Sequence, residues 1–88
     1  MSSRILVVDD DAALVRLVEF ELGEAGYETA SCGTAARGLE LVEEDPPACV
    51  LLDISLPDGS GKDVLEKLAK TRPEVPVVML TARTDVAE

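Results

Sequence analysis

The sequence VLLDISLPDGSG, residues 50–61, decides the fold of this chain. It begins with three apolar residues, reaches Asp53, and continues into a loop rich in Pro, Gly and Ser. A short apolar run bounded by turn residues is typical of a strand that is buried on both faces of a parallel sheet. Asp53 would then lie at the carboxyl end of that strand, where open α/β sheets bind their ligands.

The rest of the chain alternates between strand and helix patterns. Apolar runs predict strands at residues 4–8, 27–32, 48–53 and 75–80, and the segments between them have helical spacing. The predicted order is therefore β-α-β-α-β-α-β. Strands that alternate with helices of this length indicate a parallel sheet with right-handed crossovers.

Capping residues mark the ends of the three predicted helices. Asp11 is the expected N-cap of the first helix, residues 12–25, and Gly26 its C′ residue. Thr34 would cap the second helix, and Ser60 the third, with Asp63 completing a variant of the capping box. The residues expected to face the core are Ala13, Leu14, Leu17, Val18 and Leu22 in the first helix, Ala36, Leu39 and Val42 in the second with Ala35 as a further candidate, and Val64, Leu65 and Leu68 in the third.

Composition narrows the classes of protein to consider. The chain has 88 residues and 47% hydrophobic residues, but Phe20 and Tyr27 are its only aromatic side chains, so the predicted core is aliphatic. The net charge of −10 disfavours direct nucleic-acid binding, which depends on Lys and Arg at phosphates. Cys32 and Cys49 form no C-x-x-C pair and are expected to be small buried apolar residues in a reducing, cytoplasmic environment. No apolar run reaches transmembrane length, so we expect no membrane association.

Polar residues follow three of the predicted strands: Asp9 and Asp10, Asp53, and Thr81. Each has an ordinary explanation by itself, namely a capping turn, an Asx-turn and a loop hydroxyl. A parallel sheet, however, brings these strand ends to one edge, where three carboxylates would repel one another unless a cation is present. Carboxylate oxygens favour Mg²⁺, and the absence of histidine disfavours Zn²⁺.

Three segments together resemble the receiver domain of two-component response regulators. They are ILVVDDD (residues 5–11), LLDISLPDGSG (51–61) and VPVVMLTA (75–82), and their order and spacing match over the whole chain. The combination of an acid pair, a D-x-x-x-P-x-x-x-G loop and an apolar strand ending in Thr-Ala is far more specific than any of its parts. The resemblance implies a flavodoxin-like fold with strand order 2-1-3-4-5. It identifies residues 1–88 as a single, partial receiver domain, truncated after the fourth strand.

The resemblance also implies roles for individual residues. Asp53 would accept the phosphoryl group, and Asp10 would bind Mg²⁺ directly, while Asp9 would act mainly through metal-bound water. Ser55 would complete the metal site with its main-chain carbonyl, and the hydroxyl of Thr81 would turn toward the phosphoryl group. The phosphoryl donor would be a sensor histidine kinase or a phosphotransfer protein. Such a domain catalyses only its own phosphorylation and dephosphorylation and is not a classical enzyme.

The chain departs from the family pattern after its fourth strand. The family continues with a helix, a strand that carries a lysine, and a final helix, and residues 84–88 resemble only the first turn of such a helix. Without that lysine we expect slower phosphorylation. The fourth strand would be an exposed edge, so self-association or partial disorder is expected. In the Asp53 loop, Pro57 is expected to stiffen the backbone, and Gly59 and Gly61 to let it turn close to the site.

Two other functions are compatible with the same pattern. A receiver-like fragment that has lost phosphotransfer would act as a structural or interaction module, with its exposed edge driving assembly. A flavodoxin-like or haloacid-dehalogenase-like enzyme would use Asp53 for hydrolysis, although no insertion that could cover a substrate is visible.

Overall fold

The computed structural model describes residues 3–80 and confirms the predicted alternation of strands and helices. The elements are β1 (Arg4–Val8), α1 (Ala12–Glu24), β2 (Glu28–Cys32), α2 (Ala35–Glu44), β3 (Cys49–Asp53), β4 (Ser55–Leu56), β5 (Gly59–Ser60), α3 (Gly61–Thr71) and β6 (Val77–Leu80). Three strands, β2, β3 and β6, begin one or two residues later than the apolar runs predicted. The residue Thr81 and the helix-like segment 84–88 lie outside the described residues.

The main sheet is parallel and has the strand order β2-β1-β3-β6. This is the expected order 2-1-3-4, because β6 is the fourth strand of the main sheet. In the register, Val8 of β1 lies beside Leu52 of β3 and Cys32 of β2, and Asp53 lies beside Leu80 of β6. The carboxyl ends of β1, β3 and β6 therefore meet at one edge of the sheet.

The core lies between the sheet and the helices α2 and α3, and it is aliphatic as predicted. Its fully buried members include Leu6, Val42, Val50, Leu52 and Leu68. Both aromatic side chains lie at the surface, with 62% of Phe20 and 43% of Tyr27 exposed. Cys32 and Cys49 are free thiols and half-buried, so they are less buried than expected.

The predicted caps of α1 and α2 are confirmed. The side chain of Asp11 accepts hydrogen bonds from the first turn of α1, and Thr34 Oγ1 accepts one from the N–H of Arg37. Gly26 follows the C-cap residue Ala25 with φ = 95°, a backbone conformation that favours glycine.

The buried faces of α1 and α2 match the predicted ones only in part, since Ala35 and Val42 of α2 are buried as expected. In α1, Val15 is buried while Ala13 and Leu17 are exposed. Apolar residues surround much of this helix, so their spacing did not determine which side meets the sheet. In α2 the predicted Ala36 is exposed. Gly38 is buried instead, because the helix approaches the sheet so closely that a Cβ there would lie 3.1 Å from a methyl carbon of a β1 valine.

The segment after Asp53 is more ordered than the predicted loop. It forms a small antiparallel hairpin in which Ser55 pairs with Ser60 and Leu56 pairs with Gly59. Ser60 is thus the last residue of β5, and its predicted side-chain cap lies outside the described side chains. No helix in residues 3–80 has the length and apolar character needed to cross a bilayer.

Candidate metal centre

Three carboxylates converge at the carboxyl edge of the sheet. Asp9 directly follows β1, where its N–H donates a 3.0 Å hydrogen bond to the carbonyl of Cys32, and Asp53 is the last residue of β3. One carboxylate oxygen from each of Asp9, Asp10 and Asp53 lies within 4.8 Å of the other two. Asp9 and Asp53 are buried and Asp10 is exposed, so this acidic cluster opens to solvent on one side.

The environment of Asp9 in the acidic cluster is unfavourable for a negative charge. Burial raises the pKa of its carboxyl group, and the nearby charges of Asp53, Asp10 and Asp11 raise it further. A 2.9 Å hydrogen bond from the N–H of Asp11 acts in the opposite direction by stabilising the carboxylate. A bound cation would offset the unfavourable burial and repulsion together.

The three consecutive aspartates after β1 have separate tasks. Asp11 alone caps α1, with its Oδ1 3.1 Å from the amide nitrogens of both Ala13 and Leu14. Asp9 instead accepts a bond within the turn, and Asp10 presents its carboxylate to the other two cluster members. An ordinary helix-capping turn therefore accounts for Asp11 and leaves the convergence of Asp9 and Asp10 on Asp53 unexplained.

Gly61 allows the chain to pass directly behind Asp53. Its N–H donates a 2.8 Å hydrogen bond to the carbonyl of Ile54. A Cβ at this position would overlap the carbonyl oxygen of Asp53 and would lie only 2.9 Å from the Cα of Ile54. The expected steric role of Gly61 is confirmed, whereas that of Gly59 is wrong, because a Cβ there would meet no atom within 4 Å and its φ is not positive.

Asp58 is a structural residue that the sequence did not reveal. Its two carboxylate oxygens accept hydrogen bonds from the N–H groups of Ala35 and Ala36 at the start of α2, at 2.7 and 3.1 Å. These bonds lower the pKa of the Asp58 carboxyl group. The order Pro57-Asp58-Gly59 indicates a turn, but no local pattern shows that the turn is bonded to a helix more than 20 residues earlier.

The remaining predicted site residues are located less completely. Ser55 lies in β4, two residues after Asp53 in the sequence. Its main-chain carbonyl remains a predicted ligand of the metal ion. Thr81 lies outside the described residues, so its predicted role also remains a prediction.

The donors present fit a hard divalent cation. Carboxylate oxygens, together with a main-chain carbonyl and water, form the ligand set that Mg²⁺ prefers. Within residues 3–80, the acidic cluster is the one group of three or more potential ligand residues close enough to share an ion, and its members are all aspartates.

The fold and this site define a doubly wound α/β protein with an acidic ligand site at a strand-order switch point. The family profile of the response regulator receiver domain matches residues 5–88, and the chain belongs to this family. The predicted family and its flavodoxin-like fold are thereby confirmed.

Curated relatives are similar to the chain over all or nearly all of its length. The DNA-binding response regulator MtrA of Mycobacterium tuberculosis (strain ATCC 25618 / H37Rv) is 44% identical over 88 residues, which are 100% of this chain and 38% of that protein. The uncharacterized transcriptional regulatory protein YkoG of Bacillus subtilis (strain 168) is 37% identical over 84 residues, covering 96% of this chain and 37% of YkoG. The chain thus spans less than two fifths of the length of these relatives.

Solved structures of receiver domains have the same fold. A CheY-like receiver domain protein from Methanospirillum hungatei JF-1 superimposes with a TM-score of 0.90 at 37% identity, covering 98% of this chain and 69% of the other. The response regulator TrrA from Thermotoga maritima, in complex with Mg²⁺-BeF, gives a TM-score of 0.89 at 33% identity, covering 93% of this chain and 71% of TrrA.

Proposed function

We propose that residues 1–88 form a partial receiver domain that accepts a phosphoryl group on Asp53 from a sensor histidine kinase or a phosphotransfer protein and acts as a signalling switch. The observation that carries this proposal is the convergence of Asp9, Asp10 and Asp53 at the carboxyl edge of the sheet. A structural turn does not require three carboxylates within 4.8 Å of one another, whereas a Mg²⁺-dependent phosphoacceptor site does. The two free cysteines suit the cytoplasm, where we propose that the domain acts.

The chemistry requires a nucleophile, a way to offset charge and little else. A carboxylate oxygen of Asp53 attacks phosphorus, an O–P bond forms, and the P–N bond to the donor histidine breaks with its electron pair left on nitrogen. Bound Mg²⁺ would neutralise charge on the phosphoryl oxygens. Asp10 would hold the ion directly and Asp9 through water. The carbonyl of Ser55 would complete the ligand set, and the hydroxyl of Thr81 would contact the transferred group.

A titration with beryllofluoride, which mimics an aspartyl phosphate, tests this function. With Mg²⁺ present, we expect the wild-type chain to become more stable and Asp53→Asn to show no response, in thermal unfolding monitored by circular dichroism. Asp63→Asn is the matched control, because it removes an exposed acid from α3 outside the acidic cluster and should respond like wild type. Equal responses of the wild type and Asp53→Asn would refute the proposal. Turnover of a phosphate ester by the wild type would support a hydrolase instead.

We also propose that a polypeptide of these 88 residues associates with itself through β6. Among the described residues β6 pairs only with β3, and 49% of its Val78 side chain is exposed. An apolar strand that is paired on one side is a template for another chain. Analytical ultracentrifugation should detect a dimer or larger species that Val78→Lys dissociates. Leu17→Lys changes the exposed surface of α1 and should leave this association intact, and a monomeric wild type would contradict the proposal.

A further inference from the structure

The hairpin that follows Asp53 is too short to be stable by itself. It contains two residue pairs, Ser55 with Ser60 and Leu56 with Gly59, and isolated two-stranded hairpins are at best marginally stable in water. Leu56 is 8% exposed and belongs to the hydrophobic core, which anchors one arm. The tip of the hairpin, residues 57 and 58, requires a second anchor.

Asp58 supplies that anchor at the first turn of α2. A helix begins with four N–H groups that have no partner within the helix. In this helix they belong to residues 34–37. The Oγ1 of Thr34 accepts from the N–H of Arg37, while the carbonyl of Thr34 accepts the first bond within the helix, from Gly38 at 3.1 Å. Two more of the four belong to Ala35 and Ala36, and each donates to a separate oxygen of Asp58. The N–H groups in the first turn of α2 are therefore bonded by one nearby side chain, Thr34, and by one distant side chain, Asp58.

We infer that Asp58 is a positioning residue for the metal centre: by bonding the hairpin tip to α2, it holds the carbonyl of Ser55 at the acidic cluster. Asp58 contributes no atom to that cluster within the described residues. It acts through the β4 arm, which runs from beside Asp53 to the anchored tip. This inference rests on the proposed function, because it assumes a divalent cation held in part by Ser55.

A purely structural role predicts a different result. If Asp58 only caps α2, its loss should resemble the loss of any other cap of that helix. Thr34→Ala is therefore the matched control, because it removes the side-chain bond to Arg37 from the same turn without touching the hairpin. Both substitutions should reduce the thermal stability of the chain. Only Asp58→Ala should also weaken the binding of Mg²⁺.

The experiment measures Mg²⁺ binding to the full chain by isothermal titration calorimetry, at a temperature where every variant is folded. We expect Asp58→Ala to bind Mg²⁺ about 10-fold more weakly than wild type, as is typical when an outer partner of a metal ligand is lost. Asp58→Asn retains one side-chain oxygen acceptor and should show an intermediate loss, while Thr34→Ala should bind like wild type. If Asp58→Ala does not fold, the comparison of Asp58→Asn with Thr34→Ala decides the question.

Hydrogen exchange gives a second readout at the base of the hairpin. The N–H of Gly61 is bonded to the carbonyl of Ile54, so its exchange rate reports whether the two ends of the hairpin segment stay together. We expect faster exchange at Gly61 in Asp58→Ala and the wild-type rate in Thr34→Ala. If wild type binds Mg²⁺ and the Asp58 and Thr34 variants have equal affinities, this inference is wrong and the proposed function stands. If wild type binds no Mg²⁺, both fail.

Discussion

Two aspartates near the carboxyl edge of the sheet have opposite environments. Asp9 is buried in the acidic cluster, where burial and three neighbouring carboxylates raise the pKa of its carboxyl group. Asp58, at the exposed tip of the hairpin, accepts two backbone N–H bonds that lower the pKa of its carboxyl group. The same chemical group is therefore disfavoured as an anion in one place and favoured in the other.

This difference separates a functional arrangement from a structural one. The charge of Asp58 is matched by the amides of α2, so the fold alone explains it. The acidic cluster brings together charges that destabilise the chain when no cation is bound. Unfavourable groupings of like charges are expected at functional sites, where a ligand supplies the missing favourable interaction.

The largest expected effect comes from Gly61, which connects the two regions. Gly61→Ala places a Cβ into the carbonyl of Asp53, and relief requires a backbone shift of the strand end or of α3. We expect a loss of about 3 kcal/mol in the free energy of unfolding. Chemical denaturation in urea measures it.

Gly59→Ala is the control for this substitution. Its Cβ would meet no atom within 4 Å, so we expect stability to be unchanged or to rise by about 0.5 kcal/mol, because alanine restricts the unfolded chain. Equal losses for the two alanine variants would show that the hairpin as a whole, and not the contact behind Asp53, is sensitive to substitution.

The next effect is the response of the acidic cluster to Mg²⁺. At a concentration 100 times its dissociation constant, the ion should add about 2.7 kcal/mol to the free energy of unfolding. The gain should vanish in Asp53→Asn, and Na⁺ at equal ionic strength should not reproduce it. A gain of the same size in Asp53→Asn would remove the contrast between the two regions, because Mg²⁺ would then act elsewhere on this acidic chain.

Removal of one charge from the acidic cluster should stabilise the metal-free chain. Asp9→Asn relieves the repulsion by Asp53 and Asp10 and keeps an oxygen that can accept the bond from Asp11. We expect a gain of about 1 kcal/mol without Mg²⁺, measured by urea denaturation. Glu66→Gln, which removes an exposed charge from the middle of α3, should change stability little. Destabilisation by Asp9→Asn would mean that its charge, and not only its hydrogen bond, supports the fold.

The smallest effect is the acid sensitivity conferred by Asp58. Because its folded pKa is lowered from 3.8, the stabilisation is fully present above pH 3.8 and is lost as the pH falls through the folded pKa. The stability difference between wild type and Asp58→Asn should therefore shrink in that acid range, as measured by urea denaturation at successive pH values. A difference independent of pH would contradict the charge-assisted bonds. Asp58 lies at a surface groove between α2 and α3. Four other charged residues line this groove, and both variants contain all of them: Asp63, Glu66, Lys67 and Lys70.

Much of the fold followed from the sequence, because short-range patterns encode it. The apolar runs specified the main-sheet strands to within two residues, and Asp11, Thr34 and Gly26 marked helix ends by backbone chemistry that acts over a few residues. The buried faces of α1 and α2 were less predictable. Helical spacing locates an apolar stripe, but close approach at Gly38 and the many apolar residues of α1 decide which stripe is covered.

The sequence by itself determined the family, the parallel α/β architecture and the identity of the carboxylates at the strand ends. The sequence also predicted that Asp9, Asp10 and Asp53 would meet at one edge of the sheet. Only the tertiary structure decided that their oxygens lie within 4.8 Å of one another, that Gly61 and not Gly59 lies against Asp53, and that Asp58 serves a helix more than 20 residues away. Patterns in a sequence report forces between near neighbours in the chain. Convergence, steric contact and distant hydrogen bonds depend on how the elements pack, and packing is a property of the whole fold.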